Sequence, residues 1–374
     1  MLGEIFSDYT LRTVSIGSAV VGACGAVIGS FAVLRRQSLV GDALTHSALP
    51  GIVLAFIVTG SKDISVLLTG AFISAFIGAA FMRFIIKNTQ IKEYTSLGIV
   101  LSVFFGLGIV LLTYVQKQPD ATQAGLETFL FGQAATIMQR DVVFMSVVML
   151  VILGVVFTFW KEFKLLVFDA EYGQSSGFNM RYMDILLTVL MVLAIVLGLQ
   201  TVGVVLMSAM VVAPAASARQ WTDKMGIMVL LSAVFGAFSA VIGAVVSSLY
   251  TKLPTGPVIV VVLSSVVFVS LVLSPRRGIF WQLVKYEKNK RALRLEATLA
   301  ALRELSMQHE DKCHGHEECV LRVMKSEGAP LGKTLRLLSQ KGWATEVTRG
   351  KWAITEEGLK EADKFLHLIK DNNQ

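Results

Sequence analysis

Long apolar stretches separated by short polar segments make up the first three quarters of the chain. A helix needs about 20 apolar residues to cross about 30 Å of hydrocarbon. Stretches near this length occur at residues 13–34, 38–59, 64–86, 95–116, 141–160, 183–200, 201–218, 226–249 and 256–274. Only the residues around Gly203 separate the sixth from the seventh, so these are two crossings or one crossing and a re-entrant helix, and we favour two. The pattern predicts an all-α polytopic membrane protein with about nine membrane helices.

Two of the predicted helices carry small residues at four-residue spacing. They are Gly22, Ala26 and Ser30 in the first helix and Gly236, Ala240 and Ala244 in the eighth. Small side chains allow helix backbones to approach closely within a membrane. We therefore interpret both stripes as packing surfaces and assign them no role in conduction.

The pattern of the chain changes after Pro275, where charged residues become frequent and the apolar residues take on soluble periodicities. The predicted elements are a helix at 283–309, short helices at 317–326 and 330–341, strands at 343–347 and 352–355, and a helix at 356–370. A helix pair followed by two strands around a glycine turn is typical of a winged helix. We therefore predict a membrane domain over 1–275 and a small α+β winged-helix-like cytoplasmic domain over 276–374.

The composition excludes a soluble protein. Of the 374 residues, 54% are hydrophobic and only 16% are charged, and the mean hydropathy is +0.65. The residues before the first apolar stretch include acids and no basic region, so we expect the first helix to be retained rather than cleaved as a signal peptide. Three scattered cysteines do not form a disulfide framework.

The distribution of basic residues predicts the orientation in the cell membrane. Lysine and arginine concentrate at alternate ends of the predicted helices and mark the cytoplasmic side. These basic positions are Arg35, Arg36, Arg83, Lys87, Lys92, Lys161, Lys164, Arg181, Arg219, Lys224, Arg276 and Arg277. The opposite loops hold only isolated basic residues. The N-terminus is therefore predicted outside and the C-terminus in the cytoplasm, which requires an odd number of crossings.

Asp42 and His46 are the ionisable residues that we place well inside a predicted membrane helix. Residues four positions apart share one face of a helix. Charge at membrane depth is costly and is seldom kept for packing alone, so the pair indicates a site on an ion or proton pathway. The alternative is that the two side chains bond to each other and hold two helices together.

The position and chemistry of this pair suggest a divalent metal. His46 lies roughly 15 Å beyond Arg36 along the helix, near the centre of the bilayer. Pro50 has no N–H, which leaves the His46 carbonyl without its helical partner and available as a further oxygen ligand. Carboxylate, imidazole and carbonyl groups suit Mn²⁺, Zn²⁺ or Fe²⁺ better than Cu⁺. Two side chains are too few for a metal site, and a symmetric dimer would supply four.

Two segments outside the predicted membrane helices are candidates for interaction. Residues 117–140 are predicted on the outside, as either a short interfacial helix over the pathway or an ordinary loop. Residues 161–182 are predicted in the cytoplasm, where mixed acidic, aromatic and glycine residues suit a short helix that docks to a soluble partner.

The tail contains two further motifs. Imidazole, thiol and carboxylate groups are concentrated at 309–319, and we predict a regulatory metal site there or, alternatively, a solvated loop. Its candidate ligands are His309, Cys313, His314, His316 and Cys319. The Gly332-Lys333-Thr334 sequence imitates a phosphate-binding loop, but Glu327 occupies the position where such a loop needs glycine. We therefore expect no nucleotide binding by this chain.

Residues 35–51, with Gly41-Asp42-Ala43-Leu44-Thr45-His46-Ser47-Ala48-Leu49-Pro50, resemble the second membrane helix of the permeases of zinc, manganese and iron ABC transporters. Residues 201–216 and 126–132 are similar to two further blocks of that family. The resemblance implies two paired permease subunits, identical or paralogous, with cytoplasmic ATP-binding subunits and an extracellular metal-binding lipoprotein. It places pathway ligands on Asp42 and His46. It also places the ATPase-coupling segment around Asp169, Glu171, Gly173 and Gly177.

The resemblance implies that the chain is a permease subunit of an ATP-driven importer, embedded in membrane lipid, with manganese favoured as its substrate and zinc or iron next. No cofactor and no catalytic residue are expected, because ATP hydrolysis falls to the partner. The tail resembles the winged-helix part of metal-dependent repressors, although a nucleic acid partner is not favoured. A proton-coupled secondary metal transporter and a membrane-bound regulator are the alternatives.

Overall fold

The computed structural model describes residues 9–61, 63–117, 139–249, 253–308, 315–324, 331–348 and 350–371. The predicted outer segment, including 126–132, therefore lies outside the described residues apart from its ends. The chain divides into two compact units, Met1–Ile279 and Phe280–Gln374. Each unit is built around its own hydrophobic core.

The first unit is helical throughout its described part. Its helices are α1 Tyr9–Leu34, α2 Ser38–Thr59, α3 Ile64–Asn88, α4 Glu93–Gln116, α5 Gln139–Thr158, α6 Trp160–Phe168, α7 Ala170–Ser175, α8 Met180–Val202, α9 Val204–Trp221, α10 Met225–Leu249 and α11 Thr255–Leu273. Continuous helices satisfy nearly all backbone hydrogen bonds within the segment, which a membrane interior requires because it holds no water. This physical constraint links the apolar stretches of the sequence to the observed helices.

Eight helices of the described chain are long and apolar enough to cross a membrane, one fewer than the nine predicted. Of the nine predicted membrane helices, the seventh is the one that does not reach this standard. It corresponds to α9, an 18-residue helix whose last turn contains Arg219 and Gln220. Gly203 separates α8 from α9 with a φ of 91°, a conformation that favours glycine. The break between the sixth and seventh predicted helices is thus present, while the count of nine crossings is not confirmed.

The small-residue stripes of α1 and α10 pack against each other. A Cβ atom added to Gly22 would lie 2.5 Å from the carbonyl oxygen of Gly236, so the two backbones touch. Two turns along α1 and one turn along α10, the Ser30 and Ser232 hydroxyls are 2.7 Å apart and bond within the buried contact. The packing interpretation of these stripes is confirmed, and α1 forms a central element of the bundle because its side chains are largely buried.

Helix α2 packs against both α3 and α4. Leu44, Leu49 and Ile52 on α2 are almost completely buried. Pro50 lies inside the helix without ending it. The Ser74 hydroxyl of α3 donates a hydrogen bond of 2.7 Å to the Ser47 carbonyl, next to the proline-interrupted turn. This packing fixes the orientation of the helix that carries Asp42 and His46.

The second unit contains helices and a small antiparallel sheet. Its elements are α12 Ile279–Ser306, β1 His316–Glu317, α13 Glu318–Met324, α14 Leu331–Gln340, β2 Ala344–Thr348, β3 Lys351–Ile354 and α15 Glu356–Asp371. The strand order is β1-β3-β2, with His316 opposite Trp352 and Ala344 opposite Ile354. The sequence predicted the two longer strands and missed β1, which is too short for an alternating pattern to show. A winged-helix identity is not confirmed by this arrangement.

Candidate functional site

Asp42 and His46 lie together on α2, as their spacing predicts. The His46 Nε2 atom is 3.4 Å from the Asp42 Oδ1 atom. The His46 side chain is 13% exposed and the Asp42 side chain 34% exposed, so the histidine is the more deeply placed. Because both residues belong to one helix, their contact spans a single turn and does not join two helices. The alternative role of holding two helices together therefore receives no support from this contact.

The neighbours of the pair come from two other helices. The Phe105 ring of α4 meets the His46 imidazole edge to face, with the ring centroids 4.7 Å apart. The Ser208 hydroxyl of α9 interacts with the Asp42 carboxylate. One wall of the site is thus aromatic and the other offers a hydroxyl oxygen. Residues from α2, α4 and α9 converge on a place that combines a carboxylate, an imidazole and a hydroxyl.

The His46 Nδ1 atom is buried and has no hydrogen-bond partner among the described residues. In neutral imidazole one ring nitrogen carries a proton and the other keeps a lone pair. If Nε2 carries the proton toward Asp42, the lone pair falls on Nδ1, which is a suitable metal ligand held in place by a carboxylate. Leaving a buried nitrogen unsatisfied costs free energy, and binding of a cation would recover that cost.

The described part of one chain does not hold a complete metal site. No group of three or more histidine, cysteine, aspartate or glutamate side chains converges within it. A metal held by Asp42 and His46 alone would lack ligands, since structural and transport sites for such ions use four or more donors. The pair is therefore an incomplete set that needs further donors.

The predicted ATPase-coupling residues form a short helix with defined ends. The Asp169 carboxylate caps α7 by accepting a hydrogen bond of 2.9 Å from the Tyr172 backbone N–H. Glu171 lies in the first turn, and the Tyr172 side chain is 61% exposed. Gly173 is buried against the side chain of Met180. Gly177, with a φ of 89°, ends the segment before α8, and the short helix α7 carries an exposed aromatic side chain.

The predicted regulatory metal site in the tail is only partly described. His316 is buried in β1, whereas Cys319 is exposed on α13 with its Sγ atom 3.3 Å from the Glu317 carboxylate. The remaining candidates lie outside the described residues: His309, Cys313 and His314. The two described candidates do not converge with a third ligand. The regulatory site stays a prediction.

The sequence analysis missed a partly buried ionic cluster around Asp184. This residue lies in the second turn of α8, where its two carboxylate oxygens are 2.6 Å from Arg35 and 2.8 Å from Arg83. Arg83 also donates hydrogen bonds to the Asp184 carbonyl and to the Thr188 hydroxyl. The cluster joins the end of α1 to α3 and α8. The sequence did contain a signal for this cluster, because Asp184 is an acid inside the predicted stretch 183–200 and basic residues lie at the ends of other predicted helices.

A second ionic cluster lies between α9 and α10, outside the membrane helices. The carboxylate oxygens of Asp223 are 2.7 Å from Arg276 and 2.8 Å from Arg277. The hydrogen bond from Arg276, together with the positive charges of the neighbouring arginines, lowers the pKa of Asp223 below its ordinary value. The cluster ties the segment after α11 to the α9–α10 loop.

Known proteins similar to this chain include two bacterial membrane proteins. The zinc transport system membrane protein TroC of Treponema pallidum is 49% identical over 282 residues, which cover 75% of this chain and 95% of that protein. The manganese transport system membrane protein MntC of Bacillus subtilis is 36% identical over 345 residues, which cover 92% of this chain and 79% of that protein. The second similarity extends into the tail.

Two solved structures share the fold. One is PsaBC from Streptococcus pneumoniae in complex with Fab, with a TM-score of 0.66 and 29% identity over 77% of this chain and 100% of that chain. The other is an inward-facing conformation of a putative metal-chelate type ABC transporter, with a TM-score of 0.58 and 17% identity, over 72% of this chain and 87% of that one. The sequence model of the ABC 3 transport family matches residues 7–274, nearly the whole of the first unit. The chain therefore belongs to the ABC 3 transport family.

Proposed function

We propose that this chain is the permease subunit of an ATP-driven importer that moves a divalent transition metal across the cell membrane by alternating access. The observation that carries the proposal is the Asp42–His46 pair, partly exposed on a buried membrane helix, with an unsatisfied imidazole nitrogen. Family membership and relatives named for zinc, manganese and iron transport support it.

Manganese is our favoured substrate, followed by zinc and iron. Carboxylate oxygen and imidazole nitrogen serve all three ions, whereas the pair contains no soft thiolate. Asp42 supplies negative charge and His46 supplies a nitrogen donor. MntC of Bacillus subtilis is named for manganese transport, and TroC of Treponema pallidum is named for zinc transport. Both ions therefore belong in the test.

A second permease subunit, identical or paralogous, completes the ligand set. A two-fold axis beside α2 would bring two copies of Asp42 and His46 together and give four side-chain donors. The 34% exposure of the Asp42 side chain is consistent with a face left open for such a partner. Opening of this dimer alternately to the two sides would carry the ion through.

The energy for transport is supplied by cytoplasmic ATP-binding subunits, which dock on the α7 segment around Asp169, Glu171, Gly173 and Gly177. The exposed Tyr172 is a suitable anchor because aromatic side chains dominate protein interfaces. An extracellular metal-binding lipoprotein delivers the ion. The proposal keeps the N-terminus outside and the C-terminus in the cytoplasm, within a multi-pass subunit embedded in membrane lipid. This orientation requires α9 to cross the membrane as a ninth helix.

The second unit is a winged-helix-like domain that senses cytoplasmic metal. Two helices followed by an antiparallel strand pair and a last helix support this fold assignment. The His and Cys residues at 309–319 are its candidate ligands. The unit would lower transport when metal is abundant, and DNA binding is the weaker alternative because it rests on fold analogy alone.

Transport by the reconstituted complex tests the proposal. The chain is placed in liposomes with its ATP-binding subunits, and ATP-dependent uptake of radiolabelled Mn²⁺, Zn²⁺ and Fe²⁺ is measured for the wild type, Asp42→Asn and His46→Gln. Each variant should lower uptake by about 100-fold or more, because loss of even an outer-shell partner costs 10–100-fold in affinity. Asp63→Asn is the matched control, since Asp63 precedes α3 outside the site.

Three outcomes would contradict parts of the proposal. Uptake that survives both substitutions would remove Asp42 and His46 from the pathway. Uptake by the chain without ATP-binding subunits, driven by a proton gradient, would favour the proton-coupled secondary transporter. Normal metal uptake in cells that lack the chain would favour a membrane-bound regulator.

A further inference from the structure

Two adjoining cavities lie between α3 and α8, away from the Asp42–His46 site. The first, called the polar cavity here for the charged groups at its wall, has a volume of about 240 Å³ and is also lined by apolar side chains of α2, α3 and α8. Its charged and amide side chains are Arg35, Gln37, Arg83, Lys87, Glu93 and Asp184. The second has a volume of about 250 Å³ and is almost entirely apolar. It is lined by Phe76, Ala79, Ala80, Arg83, Ile185 and Thr188. Ala79, Arg83 and Thr188 belong to both cavities, which makes them neighbours.

The polar cavity carries one excess positive charge. Three basic side chains face two carboxylates there, and 3 − 2 leaves a net charge of +1. Asp184 pairs with both arginines, and Glu93 accepts a hydrogen bond from Gln37. Lys87 forms no ion pair within the described chain. Asp184 offsets only one of the two arginines, and Glu93 bonds to a neutral amide, so the excess positive charge is shared among the basic groups and one monoanion would neutralise the cavity.

The apolar cavity opens among side chains that face the membrane. Phe76 is 41% exposed and Ile185 is 37% exposed on α3 and α8, two of the membrane-length helices. The basic residues lie at the ends of these helices, at the depth where lipid headgroups meet water. Basic pockets between membrane helices are known binding places for anionic headgroups. A ligand that fits both cavities needs an anionic group joined to a hydrocarbon chain.

We propose that these cavities bind one anionic phospholipid, with its phosphodiester beside Lys87 and Arg83 and an acyl chain in the apolar cavity. The lipid links α3 to α8 and neutralises the charge that the ionic cluster leaves over. Free phosphate shares the headgroup chemistry but makes no use of the apolar cavity. The site is independent of the transported ion.

Native mass spectrometry of the purified chain in a mild detergent tests the inference. Retained phospholipid is counted, and the delipidated protein is then titrated with phosphatidylglycerol, phosphatidylcholine or inorganic phosphate. Lys87→Gln removes the unpaired cation and should weaken phosphatidylglycerol binding about fivefold, which corresponds to about 1 kcal/mol per basic residue. Ala80→Phe fills the apolar cavity without changing charge and should weaken it as well.

Two control variants are matched to these substitutions. Lys92→Gln removes an exposed cation five residues from Lys87 that does not line the cavity. Val110→Phe adds the same bulk at a position of α4 that is 66% exposed. Both should retain phosphatidylglycerol like the wild type. The proposal would be overturned if Lys87→Gln and Ala80→Phe retained as much phosphatidylglycerol as the wild type. It would also be overturned if the wild type bound phosphatidylcholine as tightly as phosphatidylglycerol. Inorganic phosphate that binds as tightly as phosphatidylglycerol, with Ala80→Phe weakening neither, would identify an anion site and overturn the lipid assignment.

Discussion

The two carboxylates at Asp42 and Asp184 show how neighbours decide what a membrane acid does. Both oxygens of Asp184 are occupied by guanidinium groups, so its charge is already neutralised. Asp42 faces an imidazole and a serine hydroxyl, neither of which carries a fixed positive charge. A cation would gain more from Asp42 than from Asp184. This difference favours Asp42 as the pathway residue and assigns Asp184 to helix packing.

Replacement of Asp184 tests this structural role. Asp184→Asn leaves Arg35 and Arg83 without their charge partner in a partly buried position, and we expect a loss of about 2 kcal/mol in the free energy of unfolding. Thermal unfolding in detergent micelles measures the change. Asp63→Asn, an exposed acid before α3, serves as the control. An unchanged midpoint for Asp184→Asn would show that the cluster contributes nothing to stability.

Asp223 predicts a dependence of stability on pH. Its pKa is lowered in the folded protein, chiefly by the hydrogen bond from Arg276, relative to the ordinary value of 3.8. A lowered pKa means that the stabilising contribution is complete above the ordinary value and is lost as the pH falls through the lowered pKa. The stability difference between the wild type and Asp223→Asn should therefore be largest at neutral pH and vanish in acid.

Thermal unfolding at a series of pH values, for the wild type and Asp223→Asn, measures this difference. High salt should reduce it at neutral pH, because the Asp223 side chain is 47% exposed and exposed charges are screened. A difference that is constant across the pH range would show that Asp223 acts without its charge.

At the scale of the helices, small residues determine how closely α1 approaches α10. The contact of Gly22 with the Gly236 backbone leaves no space for even a methyl group. Membrane helices lack a hydrophobic driving force between them, so close van der Waals contact is a principal source of their association. The stripes that the sequence shows are thus the surfaces on which the bundle is assembled.

A pair of glycine substitutions tests this packing. Gly22→Ala places its methyl group against the Gly236 carbonyl and should destabilise the bundle by about 1–3 kcal/mol, the usual cost of overpacking. Gly154→Ala in α5 meets nothing within 4 Å and should be neutral or stabilise by up to about 1 kcal/mol. Unfolding of both variants in detergent measures the contrast. Equal effects of the two substitutions would contradict the packing role of Gly22.

At the scale of the whole molecule, the two units have separate hydrophobic cores. The core of the second unit includes Leu299, Leu302, Leu335, Leu338 and Ile354, all of which are buried. These residues come from α12, α14 and β3, so the core closes within the tail sequence. A substitution in this core should unfold the second unit without unfolding the first.

Leu335→Ala tests the independence of the units. The Leu335 side chain is completely buried, and its truncation should cost about 2–5 kcal/mol through the cavity that it leaves. Hydrogen exchange should then show loss of protection over residues 331–371 and unchanged protection over α1 to α11. Leu337→Ala, at a neighbouring position that is 43% exposed, should change neither. Loss of protection in the membrane helices would contradict separate cores.

Most of the helical architecture was predictable from the sequence, because a membrane interior allows few backbone structures and long apolar stretches must then be helices. The bounds of α2, predicted at 38–59, are those observed. The break at Gly203 was predictable from its residue type, while the count of nine crossings was not confirmed because α9 is short and polar at its end. The two longer tail strands were predictable from their position around a glycine turn, whereas β1 was not.

The sequence by itself determined that Asp42 and His46 share a helix face, because a four-residue spacing on a helix allows little else. Only the tertiary structure decided which groups from other helices meet them, namely Phe105 and Ser208, and that the imidazole Nδ1 atom is left unsatisfied. The pairing of Asp184 with Arg35 and Arg83 also depended on it, since the arginines are 149 and 101 positions from Asp184 in the chain. Periodicity describes one helix at a time, whereas contacts between helices depend on how the whole bundle packs.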